Sequence, residues 1–243
     1  MGDVIQVAKS KLGNHGAPGQ KREKKKKKTP EDIRRQNERN RWRKIQRIIL
    51  ANFKEGDWHL ILKYRPGERP ETYEEAKDHR KKFLDKMREA YKKRGIPFKW
   101  IIVTERGKKG QVLHHHMVLE DIRRDGIDTV KLVKRLWTHG NEFFVSLYDE
   151  GEYEKLAEYI VKAETKEECG WCTYSRSRNL VIPERQVEVV HHRRWRNPPV
   201  APKGWYVVQD SLWNGENPVT GQPVQHYTLK RLKTIRKEDE DSG

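Results

Sequence analysis

From Trp58 to about Thr165 the spacing of hydrophobic positions switches repeatedly between two and about 3.6, and each switch marks a change of element. Trp58-His59-Leu60-Ile61-Leu62-Lys63-Tyr64 reads as a strand, stopped by Pro66 and Gly67. Thr72-Tyr73-Glu74-Glu75 is a capping box for a helix whose apolar face is Ala76, Phe83, Met87, Ala90 and Tyr91, closed by Gly95 and Pro97. Two β-prone runs follow, Phe98–Glu105 and Val112–Leu119, joined by the glycine-bearing turn Arg106-Gly107-Lys108-Lys109-Gly110, which predicts an antiparallel hairpin. Asp128 then caps a helix with Val130, Val133, Leu136 and Trp137 inward. Phe143–Leu147 is a further strand, and Asp149 to about Thr165 a helix with Tyr153, Leu156, Ala157 and Ile160 on its core face. The order β-α-β-β-α-β-α predicts an α+β, ferredoxin-like arrangement: one antiparallel sheet backed by helices.

The flanks read differently. Thr29 as N-cap, Pro30 at the first helical position and the acids Glu31 and Asp32 open a helix that carries a single apolar stripe, Trp42, Ile45, Ile49 and Phe53, on an otherwise basic surface. Residues 1–28 end in a run of five lysines and predict a disordered basic tail; residues 29–182 then form the central domain with its N-terminal helix. Residues 183–235 predict a small C-terminal extension around Trp205-Tyr206-Val207-Val208, and 236–243 an acidic tail.

Charge changes this picture more than size does. Charged residues are 37 % of the 243-residue chain and hydrophobic ones 34 %, so only the central stretch is rich enough to build a core. The net charge is +17, and residues 1–50 hold sixteen Lys and Arg against five Asp and Glu. Such a balance predicts a polyanionic partner, nucleic acid first among them. Lys24, Lys25, Lys26, Lys27 and Lys28 are candidate phosphate contacts, as is Arg41 on the basic helix. The longest apolar runs fall well short of the roughly 18 residues that span a bilayer, so no membrane partner is expected. Two cysteines, Cys169 and Cys172, are too few for a secreted disulfide framework.

The candidate chemistry sits in the second strand of the hairpin, Val112-Leu113-His114-His115-His116-Met117-Val118-Leu119. Alternation places His114 and His116 on one face, about 7 Å apart along the strand, and turns His115 to the other face with Leu113, Met117 and Leu119. If the hairpin turn is centred near Lys109, Glu105 lies opposite or nearly opposite His114. Two imidazoles and a carboxylate with open positions suit Mg²⁺ or Mn²⁺ better than a closed structural zinc site. On the last helix Tyr159 lies off the core face, in the stripe Glu152, Lys155, Tyr159, Lys162, where an ammonium one turn away can steady a phenolate.

With Glu105, His114, His116 and Tyr159-x-x-Lys162 in this order, the chain resembles the HUH-endonuclease superfamily, most closely the rolling-circle replication-associated proteins of phages and plasmids of Gram-positive bacteria. His59-Leu60-Ile61-Leu62-Lys63-Tyr64 is similar to the family's first motif, with Ile61 and Lys63 where threonines are common. The histidine strand is similar to the second, with His115 in place of an aliphatic residue, and Tyr159-Ile160-Val161-Lys162 to the third. Residues 171–180 look like the segment that follows the tyrosine helix in this group.

The resemblance implies an HUH endonuclease fold and a metal-dependent, site-specific nickase on single-stranded or extruded origin DNA, working in the cytoplasm of a bacterial host cell. Tyr159 would attack the scissile phosphate, keep the 5′ phosphate as a tyrosyl ester and free a 3′-OH. Mg²⁺ or Mn²⁺ would sit on Glu105, His114 and His116, with Lys162 favouring the phenolate. Lys63, Arg176 and Arg178 join the candidate DNA contacts. Ala163 stands where two-tyrosine relatives carry their second phenol, so termination would use another subunit, as in a homodimer, or a repeat of the same site. No Gly-x-x-x-x-Gly-Lys-Ser/Thr segment occurs, which leaves unwinding to a host helicase and extension to a DNA polymerase. Within the superfamily, a single-tyrosine transposase or a mobilisation relaxase would use the same residues. A reading of a different class, a non-catalytic nucleic-acid binder with zinc on Cys169, Cys172, His191 and His192, matches finger spacings poorly.

Overall fold

The computed structural model describes residues 3–11, 29–107, 112–124, 126–147, 153–164, 174–189, 195–217 and 222–232. They fall into two compact units, Arg35–Arg185 and a second one made of the residues up to Arg34 with those from Gln186 onward. In chain order the elements are β1 (Val4–Ser10), α1 (Pro30–Asn52), β2 (Trp58–Lys63), α2 (Tyr73–Lys92), β3 (Trp100–Arg106), β4 (Leu113–Leu119), β5 (Arg123–Arg124), β6 (Ile127–Asp128), α3 (Thr129–Leu136), β7 (Glu142–Ser146), α4 (Glu154–Glu164), β8 (Ser175–Arg176), β9 (Trp205–Glu216) and β10 (Pro223–Arg231).

The helices start where side chains can satisfy the orphan amides of a first turn. Thr29 Oγ1 accepts from the Asp32 amide at 3.1 Å while Asp32 Oδ2 accepts from the Thr29 amide at 3.1 Å, a reciprocal cap for α1. Thr72 Oγ1 accepts from the Glu75 amide at 3.2 Å and opens α2; Asp128 Oδ1 accepts from the Lys131 amide at 2.9 Å and opens α3. In α3 the buried apolar side chains are Leu132 and Val133, with Val130 only half-buried.

The central sheet has five strands in the order β7-β2-β4-β3-β8, every pair antiparallel. Its two faces are both used. Leu60, Leu62, Tyr64, Ile102, Met117 and Leu119 pack on one side against Phe83, Leu84, Met87 and Tyr91 of α2 and Leu132 and Val133 of α3. Ile101, Val103 and Val118 pack on the other against Ile45, Ile48 and Ile49 of α1 and Ala157, Ile160 and Val161 of α4. The α+β class and the antiparallel sheet backed by helices are therefore as the pattern predicts, with β8 as a short fifth strand. Gly140 fixes one corner: an added Cβ would fall on the Lys63 carbonyl and the Arg65 amide. Without one, the chain passes close enough for the Lys63 amide to donate to Asn141 O at 2.8 Å and the Arg65 amide to His139 O at 3.0 Å, which seats β7 beside β2.

The second unit holds a three-stranded antiparallel sheet, β1-β10-β9, in register from Val4↔Lys230 to Ser10↔Val224 on one side. This corrects the expectation of a tail without structure from residue 1: Val4–Ser10 form a strand, in which Ile5 and Val7 stand opposite Leu229 and Tyr227 and share the face on which those two are buried. Trp205–Glu216 and Pro223–Arg231 supply the other two strands. Lys24 to Lys28 and residues 236–243 lie outside the described residues. Among the described residues no helix is long and apolar enough to cross a membrane.

Candidate metal and tyrosine site

The hairpin of β3 and β4 is in the register Val103↔His116, Thr104↔His115, Glu105↔His114. Because side chains alternate along a strand, Glu105, His114 and His116 leave the sheet on one face and Thr104 and His115 on the other. The two sets meet different surroundings.

His115 is fully buried. Its Nε2 lies 2.8 Å from Tyr64 Oη and its Nδ1 2.8 Å from Thr104 Oγ1, which also accepts from Arg80 Nη1 at 3.0 Å. Burial, with the Arg80 cation next in weight, pushes the His115 imidazole well below its ordinary range, so it stays neutral. It is a core residue joined to a polar chain.

On the opposite face Glu105 Oε1 lies 2.9 Å from His114 Nε2 and 3.4 Å from His116 Nε2. Among the described residues these three side chains form a group whose ligand atoms all lie within 4.8 Å of one another. Their orientation fits a cation. His114 Nδ1 is 3.2 Å from the Val112 carbonyl, which can only accept, so Nδ1 carries a proton and Nε2 is the nitrogen turned toward the carboxylate, free to serve as the ligand atom once a cation takes the place of its hydrogen bond. His116 Nδ1 is 3.0 Å from His59 Nε2, which leaves His116 Nε2 to face the same point. Burial alone would raise Glu105, but hydrogen bonds from His114, His116 and Tyr159 outweigh it and hold the carboxyl well below the usual carboxylate range. The group is thus an anion flanked by two imidazole nitrogens, a donor set suited to a hard or borderline divalent ion.

Helix α4 brings the phenol. Ala157, Ile160 and Val161 are buried on its sheet-facing side, and Tyr153 just before it is buried with them. Tyr159 is only half-buried: its hydroxyl donates to Glu105 Oε1 and lies 2.8 Å from His116 Nε2, with its ring centroid 4.6 Å from that of His116. Burial, then the Glu105 carboxylate, pushes the phenol above its ordinary range. Lys162 is on the same helix, three residues on, and its side chain lies outside the described residues.

The remaining candidates are spread more widely. Lys63 pairs across the sheet with His114 and is exposed, its Nζ 4.4 Å above the Phe143 ring. Arg176 is half-buried on β8 opposite Ile101, Arg178 is exposed just beyond it, and Arg41 is exposed on α1. Cys169, Cys172, His191 and His192 lie outside the described residues.

One residue of the cluster has no role in the sequence reading. His59 reaches His116 Nδ1, and burial, then the charge of His116, push its imidazole down to about 4. Alternation puts His59 on the face of Ile61 and Lys63, but only the pairing of β2 with β4, with His59 opposite Val118 and Ile61 opposite His116, makes it a diagonal neighbour of a candidate ligand.

No curated protein and no solved structure matches the chain. Residues 57–167, just under half of it, match the family model described as replication-associated protein ORF2/G2P; that stretch runs from the start of β2 through α4, carries every member of the Glu, His, His and Tyr cluster, and supports a role for the chain as a replication initiator.

Proposed function

We propose that the chain initiates rolling-circle DNA replication as a single-tyrosine endonuclease and strand-joining enzyme of the HUH type, dependent on Mg²⁺ or Mn²⁺. The observation that carries this reading is the Tyr159 hydroxyl hydrogen-bonded to Glu105 and 2.8 Å from His116 Nε2, a nucleophile built into a cation-binding group. A phenol serving only to pack would leave its oxygen in a less charged place.

Glu105, His114 and His116 would hold the ion, which when bound supplies positive charge to the scissile phosphate and to the developing phenolate. The protein's own groups do the rest. His114 is held by the Val112 carbonyl and His116 by His59, so both rings are oriented before substrate arrives. α4 fixes Tyr159 Oη over the cluster, which removes much of the entropic cost of attack. Glu105 Oε1 accepts the hydrogen bond of the hydroxyl and so aims the oxygen, and the proton leaves to solvent as the oxygen engages phosphorus. The Oη–P bond forms, the P–O3′ bond breaks, and the 3′ oxygen takes up a proton. The 5′ phosphate stays on Tyr159 as an ester whose energy allows the reverse reaction to rejoin the strand without ATP. Extension of the 3′-OH and unwinding ahead of it fall to a host polymerase and helicase.

Incubation with Mn²⁺ and single-stranded DNA carrying the origin of its replicon should give a denaturant-resistant adduct on the 5′ end of the downstream fragment, and EDTA should prevent it. Tyr159→Phe should abolish the adduct and Tyr153→Phe should keep it. Lys162→Ala should slow adduct formation more than it weakens binding. An adduct that persists in Tyr159→Phe would end this reading.

A further inference from the structure

Among the described residues, helices cover only part of the site-bearing sheet face. α1 and α4 pack over Ile101, Val103 and Val118, yet on the edge strand β7 Phe143 is 46 % and Val145 44 % exposed. The register Phe143↔Ile61↔His116 puts Phe143 in the cross-strand row of His116, two strands away or about 10 Å between backbones. Val145 pairs with His59 in the same way. A scattered exposed phenylalanine needs no explanation, but a contiguous apolar strip on an open edge strand is a liability that proteins ordinarily cover or charge.

We propose that this open part of the sheet, with Phe143 at its centre, is a stacking platform for the unpaired bases of the strand whose phosphate enters the neighbouring cluster. The inference rests on the single-stranded DNA reading of that cluster and adds how the strand is held. Three features fit such an occupant. Lys63 Nζ sits 4.4 Å above the Phe143 ring and pairs across the sheet with His114, so a cation stands between platform and cluster, where the backbone must run. Glu142 pairs with Leu62 and therefore faces the other way, so the side chains of β2 and β7 on this face include no carboxylate to repel phosphate. An exposed ring with an adjacent ammonium is also the recurring unit of sequence-tolerant single-strand binding: every base has a π face, and only an unpaired base can offer it.

The test reads binding with EDTA present, so that no strand is cut. Phe143→Ala in the full chain should weaken binding of a short mixed-sequence single-stranded oligonucleotide about tenfold, the loss expected for one stacked base. It should leave the melting temperature and Mn²⁺ affinity as in the wild type. Phe143→Trp should retain binding, and the added indole emission should be quenched by that oligonucleotide but not by an abasic strand or a duplex. Equal quenching by the abasic strand, or single-strand affinity of Phe143→Ala within twofold of wild type, would overturn the platform. So would loss of a self-associated form in Phe143→Ala with single-strand binding intact, which would make the strip a contact between copies. Tyr159→Phe should leave the quench in place; a chain that quenches yet forms no tyrosyl adduct keeps the platform and loses the nicking mechanism.

Discussion

Replacing His115 by alanine separates the two faces of β4, since His115 belongs to the core and its neighbours to the group that could hold a cation. The side chain is fully buried, its ring centroid 5.6 Å from that of Trp137 and its nitrogens 2.8 Å from Tyr64 Oη and Thr104 Oγ1. Truncation removes a buried ring, which costs about 2–3 kcal/mol when the cavity cannot collapse. It also strips the buried Tyr64 hydroxyl of its His115 partner, for about 1–2 kcal/mol more, while Thr104 keeps Arg80. The expected loss is about 4 kcal/mol, a large part of the stability of an ordinary domain. With a urea slope of about 2 kcal/mol/M, the midpoint should fall by about 2 M, read from tryptophan fluorescence. Mn²⁺ affinity of the folded variant, measured by electron paramagnetic resonance titration, should be that of the wild type. His114→Ala should give the converse, loss of Mn²⁺ binding with little change in midpoint. A midpoint shift below about 0.5 M, or loss of Mn²⁺ by a stably folded His115→Ala, would mean that the two faces are misassigned.

Three further outcomes follow from the same geometry. His59→Ala should weaken Mn²⁺ binding about 10–100-fold through the freed His116 ring, with His59→Gln, which keeps an acceptor, in between; equal affinities would remove the orienting role. Folded His115 titrates well below the ordinary histidine value, so the unfolded chain binds the extra proton below pH about 6.5 and stability falls with pH from there, by about 1.4 kcal/mol per unit. Urea midpoints between pH 7.5 and 5.5 should therefore drop more steeply in the wild type than in His115→Phe. Replacing Lys24 to Lys28 by serine should lower the log–log salt slope of single-strand binding by about 3.5 if all five lysines contact phosphate, without moving the cleavage position.

The core of the fold was legible because its signals are local. Period-two runs bounded by glycine and proline mark β2, β3, β4 and β7, and Thr72 and Asp128 cap their helices as their positions suggest. β1 was not legible, for a physical reason. Val4, Ile5 and Val7 are a strand only in the company of β10, more than 200 residues away, and a lysine run beside them dominates any local reading of composition. Non-local pairing of that kind carries no signature within a window of a few residues. β8, two residues long, is invisible for the same reason: it exists because Ile101 and Ile102 offer an edge to pair with.

The cluster divides along the same line. Within one hairpin, alternation and a short turn are enough to bring Glu105 opposite His114 and to send His115 to the far side, since a one-residue slip would exchange every face and bury the wrong imidazoles. Tyr159 needed one more step, the wheel of α4, which separates it from Tyr153, Ala157 and Ile160. Beyond that the sequence falls silent, because what remains depends on strand order. Placing β2 between β7 and β4 is what carries His59 to His116 and sets Phe143 in the row of His116. Neither residue is close in sequence to the histidine strand. Local pattern therefore brings Glu105, His114, His116 and Tyr159 together, whereas the contact of His59 with His116 and the place of Phe143 come from the strand order alone.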